Sequence, residues 1–213
     1  MKKILLISFT IISFSSIFLI ASKNFNITDS QLNSIERKYG SSAKTRVEAW
    51  DSMIESSKNE SLLNKIKNVN DFFNQITYKT DAAHWKQKDY WATPFEFMGT
   101  GAGDCEDYAI AKYFSLIKLG IPDDKLRITY VIYKKANSRF EQAHMVLTYY
   151  HKIGVEPVVL DNIDKTLQVA SKRTDLKPVY SFNASGLWQA KTKGEARVGN
   201  NELKSWKDLM SRF

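Results

Sequence analysis

The chain has 213 residues, 43% of them hydrophobic and 25% charged, and its 31 basic and 23 acidic residues give a net charge of +8. That length supports one core of ordinary size, and the composition excludes a disordered or collagen-like chain. The basic residues are scattered rather than gathered into a run or arm, which argues against nucleic-acid binding, and one cysteine, Cys105, excludes an internal disulfide.

Residues 1–21 read as a targeting segment. Lys2 and Lys3 form a basic start, residues 4–20 are almost wholly apolar, and Ala21 and Ser22 are small enough for a cleavage site. The 17-residue apolar run also approaches the length of about 20 that spans a bilayer. Removal and retention as an inner-membrane anchor are both open at this point. In either case residues 22–213 are expected to be exported as a single domain, in a bacterium to the periplasm.

The spacing predicts a helix over residues 25–39, capped by Thr28 or Asp29, with Leu32, Ile35 and Tyr39 on one face and Gly40 at its end. A second helix is expected over 44–57 with Val47, Trp50, Met53 and Ile54 inward. A third, over 62–76, carries Leu62, Leu63, Ile66, Val69, Phe72, Phe73 and Ile76. Residues 77–98 hold Tyr78, Trp85, Tyr90, Trp91, Phe95 and Phe97, with a break at Thr93-Pro94, and read as a long binding loop.

Next comes the stretch around Cys105. Gly101 and Gly103 precede it, Asp104 reads as an N-cap with Asp107 as its capping-box partner, and apolar residues recur at helical spacing from 105 to 119. Gly120 and Pro122 end the helix. Cys105 then lies in the first turn, where unpaired N–H groups and the helix dipole favour a thiolate. A lone cysteine is otherwise a small buried hydrophobe.

Residues 125–133 and 142–150 alternate and are rich in β-branched side chains, so they read as a hairpin around the polar turn 134–139. A third strand over 156–160 ends at Asp161-Asn162. Residues 171–177 are polar, 179–188 read as a strand bent at Gly186, and 201–212 as a helix carrying Leu203, Trp206, Leu209 and Met210. Helices followed by antiparallel strands predict an α+β fold.

Three residues in this order can make a nucleophilic site: Cys105, His144 and Asp161, separated by 39 and 17 positions. A thiol needs a base within reach, and the base needs an orienting acceptor. His84 and His151 compete as the base, and Asn162 or Asp164 as the acceptor. His144 is preferred because it opens an apolar strand, and Asp161 because it directly follows Val158-Val159-Leu160.

Residues 103–113 (Gly-Asp-Cys-Glu-Asp-Tyr-Ala-Ile-Ala-Lys-Tyr), 143–147 (Ala-His-Met-Val-Leu) and 159–162 (Val-Leu-Asp-Asn) resemble the bacterial transglutaminase-like cysteine proteinases, and specifically their periplasmic, adhesin-releasing members. Residues 91–96 and 180–188 are similar too, so the likeness runs over roughly residues 35–190. It implies a papain-like or transglutaminase-like core with a helical lobe packed on an antiparallel sheet. It implies a catalytic triad of Cys105, His144 and Asp161, and cleavage of the N-terminal region of a large surface adhesin in control of biofilm attachment. It also implies an inner-membrane cyclic di-GMP receptor that sequesters the protease.

Asp104, Glu106 and Asp107 raise a difficulty, because carboxylates beside a thiol disfavour its ionisation. They can serve simply as first-turn complements to the dipole. They can also hold a cation: Ca²⁺ takes oxygen ligands from carboxylates and carbonyls, whereas one Cys and scattered His make no zinc site. The spacing is not that of an EF-hand, but the family resemblance implies calcium dependence at this same motif. The Cys105 backbone N–H is the expected oxyanion donor, with the indole of Trp91 or of Trp85 as a second. Two other readings stay open: a transglutaminase or amidase using the same triad, and a non-catalytic periplasmic binding module.

Overall fold

The protein is described from a computed structural model covering residues 27–213 apart from 136, 137, 153 and 191–194. The expected targeting segment, residues 1–21, lies outside the described residues. Among those described, no helix is long and apolar enough to cross a membrane.

Helix α1 (Asp29–Tyr39) begins with a capping box between Thr28 and Gln31. Gly40, at φ 89°, then turns the chain so sharply that α2 (Ser41–Ser57) starts at once, three residues before its apolar pattern does. Helix α3 (Leu62–Phe73) is capped by Ser61. Val47, Trp50 and Ile54 of α2 and Ile66, Val69 and Phe73 of α3 are buried, but Leu62 and Leu63 remain 38% and 64% exposed because the first turn of α3 overhangs the core.

Residues 77–98 are more structured than a loop. They contain strand β1 (Thr77–Tyr78), the short helix α4 (Asp81–His84) and the start of α5 (Pro94–Thr100). Thr93 and Glu96 make a second capping box, and Pro94 takes the first helical position, where its missing N–H leaves no bond unmade. Thr93-Pro94 therefore starts a helix rather than only breaking one. Strand β1 pairs in parallel with β2 (Ala102–Gly103), which leads into α6 (Cys105–Lys118).

Helix α6 is central, buried along almost its whole length from Glu106 to Leu116. It lies between α2, α3 and α5 and one face of a seven-stranded antiparallel sheet. The strands are β3 (Leu126–Lys134), β4 (Glu141–Tyr149), β5 (Val158–Leu160), β6 (Gln168–Val169), β7 (Leu176–Phe182), β8 (Leu187–Ala190) and β9 (Glu195–Gly199), arranged β6-β5-β4-β3-β7-β8-β9. The expected strand over 179–188 is in fact two, β7 and β8. The Asn183 side chain accepts from the backbone N–H groups of Ser185 and Gly186 at 3.0 Å and closes the turn between them.

Ile128, Met145, Leu147, Leu160 and Phe182 belong to the core beneath α6, while Val131, Val146 and Val159 form a separate cluster. Those valines floor a cavity of about 1040 Å³. The C-terminal helix α7 (Lys204–Arg212) lays Trp206 against Phe114, stacked at 5.8 Å and 3°. Arg212 pins it by bonding Glu96, the Tyr90 hydroxyl and the Trp91 carbonyl at 2.5–2.6 Å. The expected α+β architecture, a helical layer on an antiparallel sheet, is the one observed.

Candidate active site

Cys105 occupies the first position of α6, after the N-cap Asp104. Gly103 is required just before it, since a Cβ there would collide with the Asp107 carboxylate and the Phe97 ring. The sulfur accepts from the Met145 backbone N–H and donates to Glu106 Oε2 at 3.1 Å. Met145 lies on β4, immediately after His144. Strand β5 pairs with β4 only at Leu147–Tyr149, so β4 has no β5 partner at Met145 and His144. The end of α6 therefore approaches the sheet beside the imidazole, although no hydrogen bond joins Cys105 to His144.

Register also brings Asp161 to His144. Leu160 pairs with Leu147, so Asp161 leaves β5 where β4 continues toward His144. His144 Nε2 and Asp161 Oδ1 are 2.7 Å apart, and both residues are buried. Burial by itself would raise the Asp161 pKa, but bonds from His144, the Ile163 N–H and Arg173 hold it well below the usual carboxylate range. Asp161 is thus ionised and can only accept, so Nε2 carries a proton and, in the neutral tautomer, Nδ1 keeps the lone pair.

Two supports of Asp161 had no signal in the sequence. Arg173, within the stretch read only as polar, is 3% exposed and donates from Nη2 to Asp161 Oδ2 at 2.7 Å. Lys112, two turns after Cys105 on α6, is fully buried and donates to the Asp161 carbonyl at 3.1 Å and to Asn74 Oδ1 at 2.8 Å. Burial lowers its pKa to about 7. The spacing from 105 to 112 would have placed Lys112 on the Cys105 face of the helix, but not its partner.

The acids gather as well. Carboxylate oxygens of Asp81, Asp104 and Asp107 lie within 4.8 Å of one another, as do those of Asp81, Asp89 and Glu106. Asp81 and Asp89 come from the aromatic segment and join the three acids expected from the motif. Asp107 is held in place by the Ala92 N–H at 2.8 Å and the Asp104 N–H at 3.3 Å. Asp81 Oδ1 and Asp104 Oδ1 are buried with no hydrogen-bond partner. Burial and then the Glu106 charge push Asp104 up to about 9, and burial likewise raises Asp81, Glu106 and Asp107. Buried carboxylates with orphaned oxygens are what a bound cation would satisfy, so this donor set fits a hard divalent metal.

The same acids overturn one expectation. The helix start was expected to favour the thiolate; instead burial, followed by the Glu106 charge, pushes the Cys105 thiol well above its ordinary range. The Trp91 reading also changes. Its indole N–H donates to Asp89 Oδ1 at 3.0 Å and its ring stacks on Phe182 at 5.4 Å, so it is a packing residue with its donor engaged. Trp85 packs against His84 and Tyr90 at 4.7 and 4.6 Å, and its buried N–H has no partner among the described residues.

The competing residues are placed elsewhere. His84 ends α4 with Nε2 buried and unpaired, and His151 is exposed. Asp164 accepts from the Thr166 N–H at 3.0 Å and from Gln168, as a turn residue does. The 1040 Å³ cavity does not include Cys105 or His144 in its lining.

Comparison with known proteins gives the family. A profile of the bacterial transglutaminase-like cysteine proteinases matches residues 38–190. Three solved structures of LapG from Legionella pneumophila are similar over 87% of this chain. The calcium-bound form is 44% identical with a TM-score of 0.74 over 99% of its own chain. The EGTA-treated form is 42% identical with a TM-score of 0.74 over 97%, and a further LapG structure is 42% identical with a TM-score of 0.73 over 96%. No curated protein matches. With a nucleophile-bearing helix start, a histidine–carboxylate pair and a matching profile over most of its length, the chain belongs to the bacterial transglutaminase-like cysteine proteinases and is a LapG-type cysteine protease.

Proposed function

We propose that this protease is a calcium-dependent endopeptidase of the periplasm, and that it cleaves the N-terminal region of a large surface adhesin to control biofilm attachment and release. The observation that carries this reading is the buried His144–Asp161 pair, with His144 on the strand whose next N–H bonds the Cys105 sulfur. With Nε2 tied to Asp161, Nδ1 takes the thiol proton as the sulfur attacks the peptide carbonyl carbon. The imidazolium then gives that proton to the departing amine, leaving a thioester. Water attacks the thioester carbonyl, again losing its proton to Nδ1, and the acid is released with the thiol restored. The Cys105 N–H, free at the first helical position, meets the oxyanion.

Asp104, Glu106 and Asp107, joined by Asp81 and Asp89, are the groups that would hold calcium. Their fit rests on the orphaned oxygens and on the likeness to calcium-bound LapG. When bound, the ion would offset the carboxylate repulsion that holds the thiol protonated. Export rests on the leading segment, residues 1–21. The adhesin substrate, and an inner-membrane cyclic di-GMP receptor that withholds the protease, rest on the motif resemblance.

The test is to incubate the purified protein with the N-terminal segment of a large exported adhesin, in Ca²⁺ and in EGTA, alongside Cys105→Ala. Cleavage is expected only from the wild type in Ca²⁺. Cleavage by Cys105→Ala would overturn the triad, and equal cleavage in EGTA would remove calcium. Incorporation of a labelled amine in place of hydrolysis would make the enzyme an acyl transferase.

A further inference from the structure

We infer that Arg173 is a positioning residue for the reaction: its guanidinium, clamped by Asp175, fixes which Asp161 oxygen faces the His144 imidazole. The inference rests on the triad reading above.

Asp161 is gripped on three sides. Oδ1 accepts from His144 Nε2 at 2.7 Å and from the Ile163 N–H at 3.0 Å. Oδ2 accepts from Arg173 Nη2 at 2.7 Å. The main-chain carbonyl accepts from Asn74 at 2.8 Å and from Lys112 at 3.1 Å. The bonds to the main-chain carbonyl hold the position of the residue but leave the carboxylate free to turn about its last torsion. The Ile163 N–H restrains that turn through Oδ1, and among the described residues Arg173 is the one that engages Oδ2.

Arg173 is itself immobilised by a fork on Asp175, Nε to Oδ1 at 2.9 Å and Nη2 to Oδ2 at 2.8 Å. A planar guanidinium held in this way transmits orientation as well as charge. Its Nη1 is buried without a partner. Asp175, Arg173, Asp161 and His144 form a line of alternating charge when the imidazole carries the thiol proton. With Arg173 removed, burial would also favour a protonated Asp161, and a protonated carboxyl can donate as well as accept, so it no longer enforces the Nε2–H tautomer.

The test compares wild type with Arg173→Gln, Arg173→Lys and Asp175→Asn. The first readout is the proton NMR signal of His144 Nε2–H, expected far downfield because it faces a carboxylate. It is assigned with His84→Gln and His151→Gln, which account for the other two histidines. The second is turnover on the adhesin segment, normalised to Cys105 titrated with iodoacetamide. Arg173→Gln is expected to lose or shift the signal and to lower kcat by about 10- to 100-fold, with little change in KM. Arg173→Lys keeps the charge without the fork and should fall between. Asp175→Asn removes only the anchor and should move both readouts the same way, which keeps the inference testable if Arg173→Gln does not fold. An unmoved signal with wild-type kcat per titrated thiol, in whichever of these variants fold, overturns the inference. If the wild type cleaves nothing, the proposed substrate fails while the NMR signal still decides the role of Arg173.

Discussion

Glu106 is the residue on which the chemistry of the thiol turns. Its carboxylate receives the Cys105 S–H at 3.1 Å and, after burial, is the chief reason the thiol resists ionisation. In EGTA, Glu106→Gln should therefore alkylate faster at pH 8 than the wild type, by about 10-fold for each unit the thiol falls, as read by iodoacetamide kinetics. The same substitution should weaken calcium binding in a titration calorimeter. Asp161→Asn should keep the fold but lower kcat by about 10²- to 10⁴-fold, because an amide can donate to Nε2 and stabilise the wrong tautomer. At this scale Cys105, His144 and Asp161 were legible as candidates, from residue type, order and element ends. Arg173 and Lys112 were not: a buried cation is recognised by the anion or carbonyl beside it, and that neighbour is set by the fold.

Among the elements, α6 joins the two halves of the site, carrying Cys105 at its start and Lys112 beneath Asp161 two turns later. The helices α1 to α3 and α6 were legible because each has an apolar stripe, to which α1 and α6 add a capping residue. The segment over 77–98 was not, since its helices span four and seven residues, too few for a period to emerge. Thr93→Ala should cost about 1 kcal/mol by loss of its cap. Trp206→Ala should cost about 3–5 kcal/mol, since it strips the stacked cover from Phe114 and the edge contacts to Tyr113 and Phe182. Urea unfolding at fixed pH checks both.

For the whole molecule, the acidic cluster links stability to pH and to metal. Asp104, raised to about 9, is protonated in the folded chain but ionised in the unfolded one between about pH 4 and pH 9. The unfolded state then binds fewer protons, so stability falls as pH rises through that window. Asp161 acts oppositely: its depressed pKa adds stability above the ordinary carboxylate range, lost only as pH drops through and below that range. In EGTA the melting temperature should therefore be lower at pH 8 than at pH 5, by about 3 °C for each kcal/mol lost. Calcium should shrink the difference. A melting temperature that does not fall between those pH values in EGTA would show that these carboxylates are not held as described.

The sequence by itself determined the helical lobe, the β3–β4 hairpin, the helix-start cysteine and the acids on its first turn, because each is written in local spacing that neighbouring residues enforce. Tertiary structure alone decided that Asp81 and Asp89 join those acids, that Trp91 gives its N–H to Asp89, and that Arg173 and Lys112 hold Asp161. It also decided how far burial adds to those acids in pushing the Cys105 thiol up. These outcomes depend on distances between segments far apart in the chain and on how deeply the fold buries them, and local spacing encodes neither.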